Sequence, residues 1–217
     1  QLIVVDDGST DNTREIVELT ADHDARVKPL QKDDNQGLGQ SLIDGYLESA
    51  NLEVDVVAVM AGDGQMAPGD LMPVVRPIVD GLCDYVKGNR LLRDEGVDRM
   101  PRHRLVGNAF LSLLSKFATG YWKSMDPQCG YTAISSDALT RIPISTMTKG
   151  YGYNAHILNM LNLANRRVAE IEVEPVYGDE TSYIKLRKYI PSVSILLWKL
   201  FWRRIFRKYV VRDFHPL

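Results

Sequence analysis

The run Leu2-Ile3-Val4-Val5-Asp6-Asp7-Gly8-Ser9-Thr10-Asp11-Asn12 is a β-branched apolar segment that stops abruptly at two carboxylates and a turn. An unbroken apolar run of this length reads as a strand covered on both faces. Acids at its carboxyl end stand where open α/β sheets bind ligands. An ordinary Asp-Gly turn, with Ser9 or Asp11 capping the next helix, accounts for the same residues, so the segments downstream must arbitrate.

They repeat the pattern. Thr13 to Leu19 carries apolar residues at helical spacing, with Asp11 near its positive end. Arg26-Val27-Lys28-Pro29-Leu30 reads as a short strand, and Gln36-Gly37-Leu38-Gly39-Gln40 opens a helix holding Leu42, Ile43, Tyr46 and Leu47. The strand from Val54 to Met60 ends, like the first, at an acid: Ala61-Gly62-Asp63-Gly64-Gln65. Pro68 suits the first turn of a helix through Leu71, Val74, Val75 and Ile78, which Pro73 and Pro77 keep short. Cys83 to Val86, Tyr131 to Ile134 and Arg167 to Pro175 read as strands, and Arg102 to Ala118 and Tyr153 to Ala164 as helices. Strands alternating with helices predict an α/β fold with a Rossmann-like, mostly parallel sheet flanked by helices.

Length and charge narrow the classes. A chain of 217 residues with net charge -2 has room for one substantial core and no overall signature of nucleic-acid binding. Its two cysteines, Cys83 and Cys129, make neither a disulfide framework nor a metal-ligand spacing, which fits a reducing compartment. No signal peptide precedes Gln1 and no apolar run reaches the ~18 residues of a membrane span. The chain starts inside a strand and stops at Asp213-Phe214-His215-Pro216-Leu217, so it reads as a fragment.

Candidate chemistry gathers at the strand ends. Asp63-Gly64-Gln65 offers a carboxylate and an amide oxygen around a glycine, a donor set suited to Mg²⁺ or Mn²⁺ shared with a diphosphate, although the tripeptide alone is also a common turn. Asp126 precedes a strand and serves equally as a turn residue; Cys129 reads as a small buried apolar group. The histidines, His23, His103, His156 and His215, lie in unrelated contexts and form no nucleophilic triad.

In their order, Val4-Val5-Asp6-Asp7-Gly8-Ser9, Met60-Ala61-Gly62-Asp63-Gly64-Gln65, Gly88-Asn89-Arg90, Asp126-Pro127-Gln128-Cys129-Gly130-Tyr131 and Tyr151-Gly152-Tyr153 resemble the family 2 glycosyltransferases of the GT-A fold. Within them the chain looks most like the polyprenyl-phosphate and dolichyl-phosphate sugar transferases. The resemblance implies a GT-A domain over residues 1–182, with an earlier strand of the family apparently missing before Gln1. It implies nucleotide-sugar contacts from Val5, Asp7, Gly37, Asp63 and Gln65, a metal held by Asp63 and Gln65, and a catalytic set of Asp63, Asp126, Arg90 and Arg104. Arg90, Arg104 and Asn108 match positions that hold the acceptor phosphate, a role suited to guanidinium forks.

Two departures bear on the reaction. Ala61 stands where the family usually has a second metal-site acid, and Asn154 stands near the place of the general base used by relatives that glycosylate a hydroxyl. A neutral alcohol needs that base. A lipid phosphate, already anionic, does not.

The last segment, residues 183–217, is a basic amphipathic region: Lys185 to Arg212 holds nine Lys or Arg and no acid. At ~100° per residue, Ile195, Trp198, Trp202, Ile205, Phe206 and Tyr209 share one face while Lys199, Arg203 and Arg207 follow another. This composition predicts an interfacial helix on an anionic membrane surface, the alternative being a terminal helix that packs its aromatics on the core. The combined expectation is an inverting hexosyl transfer from a nucleotide diphosphate sugar to polyprenyl or dolichyl phosphate at the cytoplasmic face of a membrane, without nucleic acid. The alternatives are transfer to a saccharide hydroxyl, or a sugar-nucleotide-binding protein without catalysis.

Overall fold

Apolar strands and amphipathic helices alternate along the chain as expected. A computed structural model describes residues 1–90, 102–124, 126, 129–174, 176 and 186–212, and only the backbone of 102–109 and 186–188. The elements are β1 (Leu2–Asp6), α1 (Thr13–His23), β2 (Val27–Gln31), α2 (Leu38–Ala50), β3 (Val56–Val59) and α3 (Leu71–Val79). They continue with β4 (Tyr85–Asn89), α4 (Arg102–Thr119), β5 (Thr132–Ser135), α5 (Ser136–Thr140), α6 (Tyr153–Leu163), β6 (Val168–Glu172) and α7 (Leu186–Ile205), which widens into a π-type turn over Phe206–Arg212.

β1 and β2 pair in parallel, and Pro29, which has no N–H to give a ladder, sits in β2 opposite Val4. The second sheet has the order β3-β5-β4-β6. β4 and β6 run parallel, and β5 opposes both β3 and β4, so three strands share a direction and β5 alone is reversed. That reversal positions the site. The chain enters β5 at the edge of the sheet where β3, β4 and β6 end, and so brings the residues before β5 to the carboxyl ends of the other three.

Alternation along β4 and β5 divides the core. Tyr85 and Ile134 pack on one face with Ile43 and Tyr46 of α2 and Ile157, Leu158 and Leu161 of α6. Val86 and Ala133 face the other side, with Val74 and Ile78 of α3. A further layer joins Leu111 and Ala118 of α4, Ala155 of α6, and Val193, Leu197 and Leu200 of α7. Asn159 ties these three helices: its Nδ2 donates to the Ala118 carbonyl at 2.9 Å and the Leu200 carbonyl at 3.0 Å. The buried Arg204 donates to the carbonyls of Phe117 (2.8 Å) and Ala118 (3.3 Å), capping the end of α4.

α7 therefore does pack on the core, with Tyr189 and Phe201 against the buried cluster, but its tryptophans stay out. Trp198 and Trp202 remain 63% and 51% exposed, and Ile195, Phe206 and Tyr209 are exposed with them. Trp198 and Trp202 meet edge to face at 5.6 Å. Among the described residues, no helix is long and apolar enough to cross a membrane.

Candidate active site

Two clusters carry the residues singled out from the sequence. The first lies where β1 meets α2. The Oδ2 of Asp7 accepts from the Gly37 N–H at 2.7 Å, and its Oδ1 accepts from the Gln36 N–H and Lys32 Nζ, both at 3.1 Å. Burial raises the carboxyl's pKa, but the donors Gln36, Lys32 and Gly37 outweigh it and hold Asp7 below the usual carboxylate range. Lys32, paired also with Asp44 at 2.8 Å, is held above its ordinary value despite its burial. Asp7 thus satisfies orphan amides at the start of α2 from a distance. Val5 packs beneath Gly45 of α2. Neighbouring Asp6 is buried and fixes the turn by accepting the Ser9 N–H at 2.9 Å. Gly8 has φ +75°, and a Cβ there would stand 2.8 Å from the Asn35 nitrogen.

The second cluster is the cleft at the strand ends. An open cleft there is lined by Gln65, Met66, Arg90, Cys129, Gly130, Tyr131, Val173, Glu174 and Val176. Asp63 stands exposed at the end of the β3 loop, one oxygen accepting the Gln65 N–H at 3.1 Å. Arg90, just past β4, grips Asp126 in a fork: Nε to Oδ2 at 2.8 Å and Nη2 to Oδ1 at 3.2 Å. Asp126 is buried, which raises its pKa, yet Arg90 and Lys87 hold it below the usual range. Burial pushes the Cys129 thiol up, so it stays protonated and is no nucleophile.

The structure thus brings Gln65 and Arg90 to one cleft, with Asp126 beneath Arg90 and Asp63 two residues from Gln65. Asp7 and Gly37 bond to each other, outside that cleft's lining. Arg104 and Asn108 lie on α4, and their side chains fall outside the described residues. Asn154 lines a smaller cavity next to Tyr153 and Gly130, with no carboxylate among its lining residues. Glu174 is the one carboxylate among the described residues that line the cleft.

Several members escaped the sequence reading. Lys87, 1% exposed on β4, lies opposite Glu170 of β6 in register, and Glu170 accepts from Asn89 Nδ2 at 2.7 Å and Ser124 Oγ at 2.5 Å. A single lysine in Tyr85-Val86-Lys87-Gly88-Asn89 gives no sequence signal of burial; an acid at the same register on the next strand is visible only once the sheet order is known.

A divalent metal fits the donor set in one way only. Asp63 and Gln65 supply hard oxygens at an open rim, and no group of three or more His, Cys, Asp or Glu gathers to hold a metal among the described residues. Such a site suits an ion that takes its other ligands from water and substrate phosphates.

The model of the family described as Glycosyl transferase family 2 matches residues 1–142. The chain belongs to glycosyl transferase family 2. Among curated family relatives, it is 28% identical to the UDP-N-acetylglucosamine--dolichyl-phosphate N-acetylglucosaminyltransferase of Methanococcus voltae, over 95% of this chain and 84% of that protein. It is 26% identical to the undecaprenyl-phosphate mannosyltransferase of Micrococcus luteus, over 79% of this chain and 70% of that one. The glucosyl-3-phosphoglycerate synthase of Mycobacterium tuberculosis, solved with Mn²⁺, UDP and glucosyl-3-phosphoglycerate, superposes with a TM-score of 0.63 at 19% identity, covering 94% of this chain and 68% of that one. The fold is GT-A, and this family 2 chain is a glycosyltransferase.

Proposed function

We propose that the chain transfers a hexose, with inversion, from a nucleotide diphosphate sugar to a polyprenyl or dolichyl phosphate at the cytoplasmic face of a membrane. The observation that carries this reading is the meeting of Gln65 and Arg90 in one cleft. The first belongs to the candidate diphosphate and metal element, the second is a guanidinium suited to an acceptor phosphate. Named relatives that act on dolichyl and undecaprenyl phosphate support it.

The chain's residues divide the work. Asp63 and Gln65 would hold Mg²⁺ or Mn²⁺, which offsets charge on the diphosphate leaving group when bound. Asp7, Val5 and Gly37 form the nucleotide side; Asp126 anchors Arg90, and Arg90, with Arg104 and Asn108, receives the acceptor phosphate. The phosphate oxygen attacks the anomeric carbon without prior deprotonation, which agrees with Asn154 in place of a base. The exposed aromatics of α7, flanked by Lys199 and Arg207, form a surface suited to an anionic bilayer.

A second reading rests on Glu174. A carboxylate lining the cleft is a base for a sugar hydroxyl, and Glu174→Gln then abolishes transfer to saccharides. The deciding experiment offers the protein Mn²⁺, polyprenyl phosphate, a saccharide panel and labelled nucleotide sugars. A lipid-linked product is expected, and transfer to saccharides alone overturns the first reading. Asp63→Ala is expected to lower turnover at least 100-fold with an unchanged unfolding midpoint; near-normal turnover removes Asp63 from the metal site.

A further inference from the structure

Asp70 stands where an acid ordinarily caps a helix, at the start of α3, yet its side chain makes no capping bond there. Its Oδ2 instead accepts the Glu174 N–H at 2.7 Å, across 104 residues of sequence. A carboxylate oxygen on a backbone N–H makes a charge-assisted bond, stronger than one between neutral groups. Asp70 also has a rigid base, because the buried Val74 and Ile78 fix α3 to the sheet.

The segment that Asp70 grips leads from β4 to the loop of Asp63 and Gln65. Past the end of β6, the Val173 N–H donates to the Asn89 carbonyl at 3.2 Å, one residue before Arg90. The Glu174 N–H then goes to Asp70, and the Val176 N–H to the Gln65 carbonyl at 3.2 Å. Neighbouring N–H groups of an extended strand point to opposite sides of it. The segment therefore bonds β4 through Val173 and the loop through Glu174 and Val176.

The tip of that loop has little else to lean on. A Cβ at Gly62 or at Gly64 would meet nothing within 4 Å, so nothing packs against those two positions. The bonds from the Gln65 N–H to Asp63 and from the Ala61 N–H to Met66 Sδ close the loop on itself without tying it to the sheet. Tyr131 Oη reaches the loop from β5 at the Ala67 carbonyl (3.2 Å), two residues past Gln65.

We infer that Asp70 is a positioning residue for the metal-bearing loop: by holding Glu174 at the start of α3 it keeps Val176 on the Gln65 carbonyl, and so keeps Gln65 and Asp63 in place relative to Arg90. The inference rests on the reading of Asp63 and Gln65 as the metal and diphosphate element. Loss of Asp70 loosens the tip rather than unfolding the loop, since Tyr131 and α3 keep their own contacts. Groups that orient metal ligands from behind change metal affinity by about 10–100-fold when removed.

The test compares wild type with Asp70→Ala, Asp70→Asn and Asp63→Ala. Each is titrated calorimetrically with UDP and GDP, with and without Mn²⁺, and with a short-chain isoprenyl monophosphate, alongside the urea midpoint. The readout is the gain in nucleotide affinity that Mn²⁺ confers. Asp70→Ala is expected to lower Mn²⁺-supported affinity by about tenfold, leaving metal-free nucleotide affinity and monophosphate affinity within about twofold. Asp70→Asn keeps an oxygen for the Glu174 N–H and is expected to restore most of the loss. A merely structural role moves all the affinities together, or the midpoint alone. Asp70→Ser replaces the Ala variant if that one does not fold. A Mn²⁺ gain that is lost in Asp63→Ala but intact in Asp70→Ala, or lost equally in Asp70→Asn, overturns the positioning role and leaves the metal site standing. A gain absent from wild type, or intact in Asp63→Ala, overturns both.

Discussion

Gly39 shows how little freedom single positions have. A Cβ there would lie 2.4 Å from the Thr148 carbonyl oxygen, and the Gly39 N–H donates to the Lys149 carbonyl at 3.0 Å. Alanine gains up to about 1 kcal/mol of helix propensity, but the overlap is with backbone on a second segment and must displace it. Gly39→Ala is therefore expected to destabilise by about 1–3 kcal/mol in urea unfolding. Lys87 gives the opposite sign. Its pKa of about 8 lies below the ordinary 10.5, so between those values the unfolded chain keeps a proton that the folded chain has released. Stability gained from this group then rises with pH from about 8 to 10.5, and is least below 8. Lys87→Met is expected to be more stable than wild type at pH 7 by about 1–3 kcal/mol, with the difference shrinking at pH 9.5. Asp63 was legible because an acid closes an apolar run. Asp7 was legible as the acid that closes the first strand, but not as the partner of Lys32 and α2, because that bond joins segments whose spacing in sequence carries no period.

Elements were legible where period and punctuation agree. β3 stops at Val59, just ahead of the turn that carries Asp63, α3 is short as its prolines require, and α4 and α6 form where expected, although α4 buries Leu111 and Ala118 rather than Leu113 and Phe117. The direction of β5 was not, since a four-residue strand reads alike in either sense and the sense is set by how the chain returns from α4. α7 mixes both outcomes: the exposure of its aromatic face follows from the 3.6-residue period, while Arg204, set among basic neighbours, reads as solvated and is 8% exposed. Its guanidinium satisfies two carbonyls at the end of α4. Arg204→Met keeps the stem and removes those donors, so a loss of about 2 kcal/mol in thermal or urea unfolding is expected.

Over the whole molecule the fold class was readable because every local pattern pointed the same way. The gathering of the cleft was not, since it depends on strand order, which no single segment encodes. The aromatic face of α7 permits a test at this scale. Trp198→Ser with Trp202→Ser is expected to lower partition onto vesicles containing anionic lipid at least tenfold, and to change unfolding stability by less than about 0.5 kcal/mol, because both rings are exposed. Wild-type binding is expected to weaken as salt rises; vesicle binding indifferent to both changes removes α7 from the membrane contact.

Asn159, wholly buried, gives its two amide hydrogens to α4 and α7 at once. The helix carrying the exposed tryptophans is thereby pinned to the same frame as the sheet that ends at Arg90. Whatever surface those rings rest on is held at a set standoff from the cleft, like a bench from a fixed tool. On the proposed function, the reach between them falls to the acceptor: a lipid phosphate would have to rise to the protein, because the protein is not built to stoop.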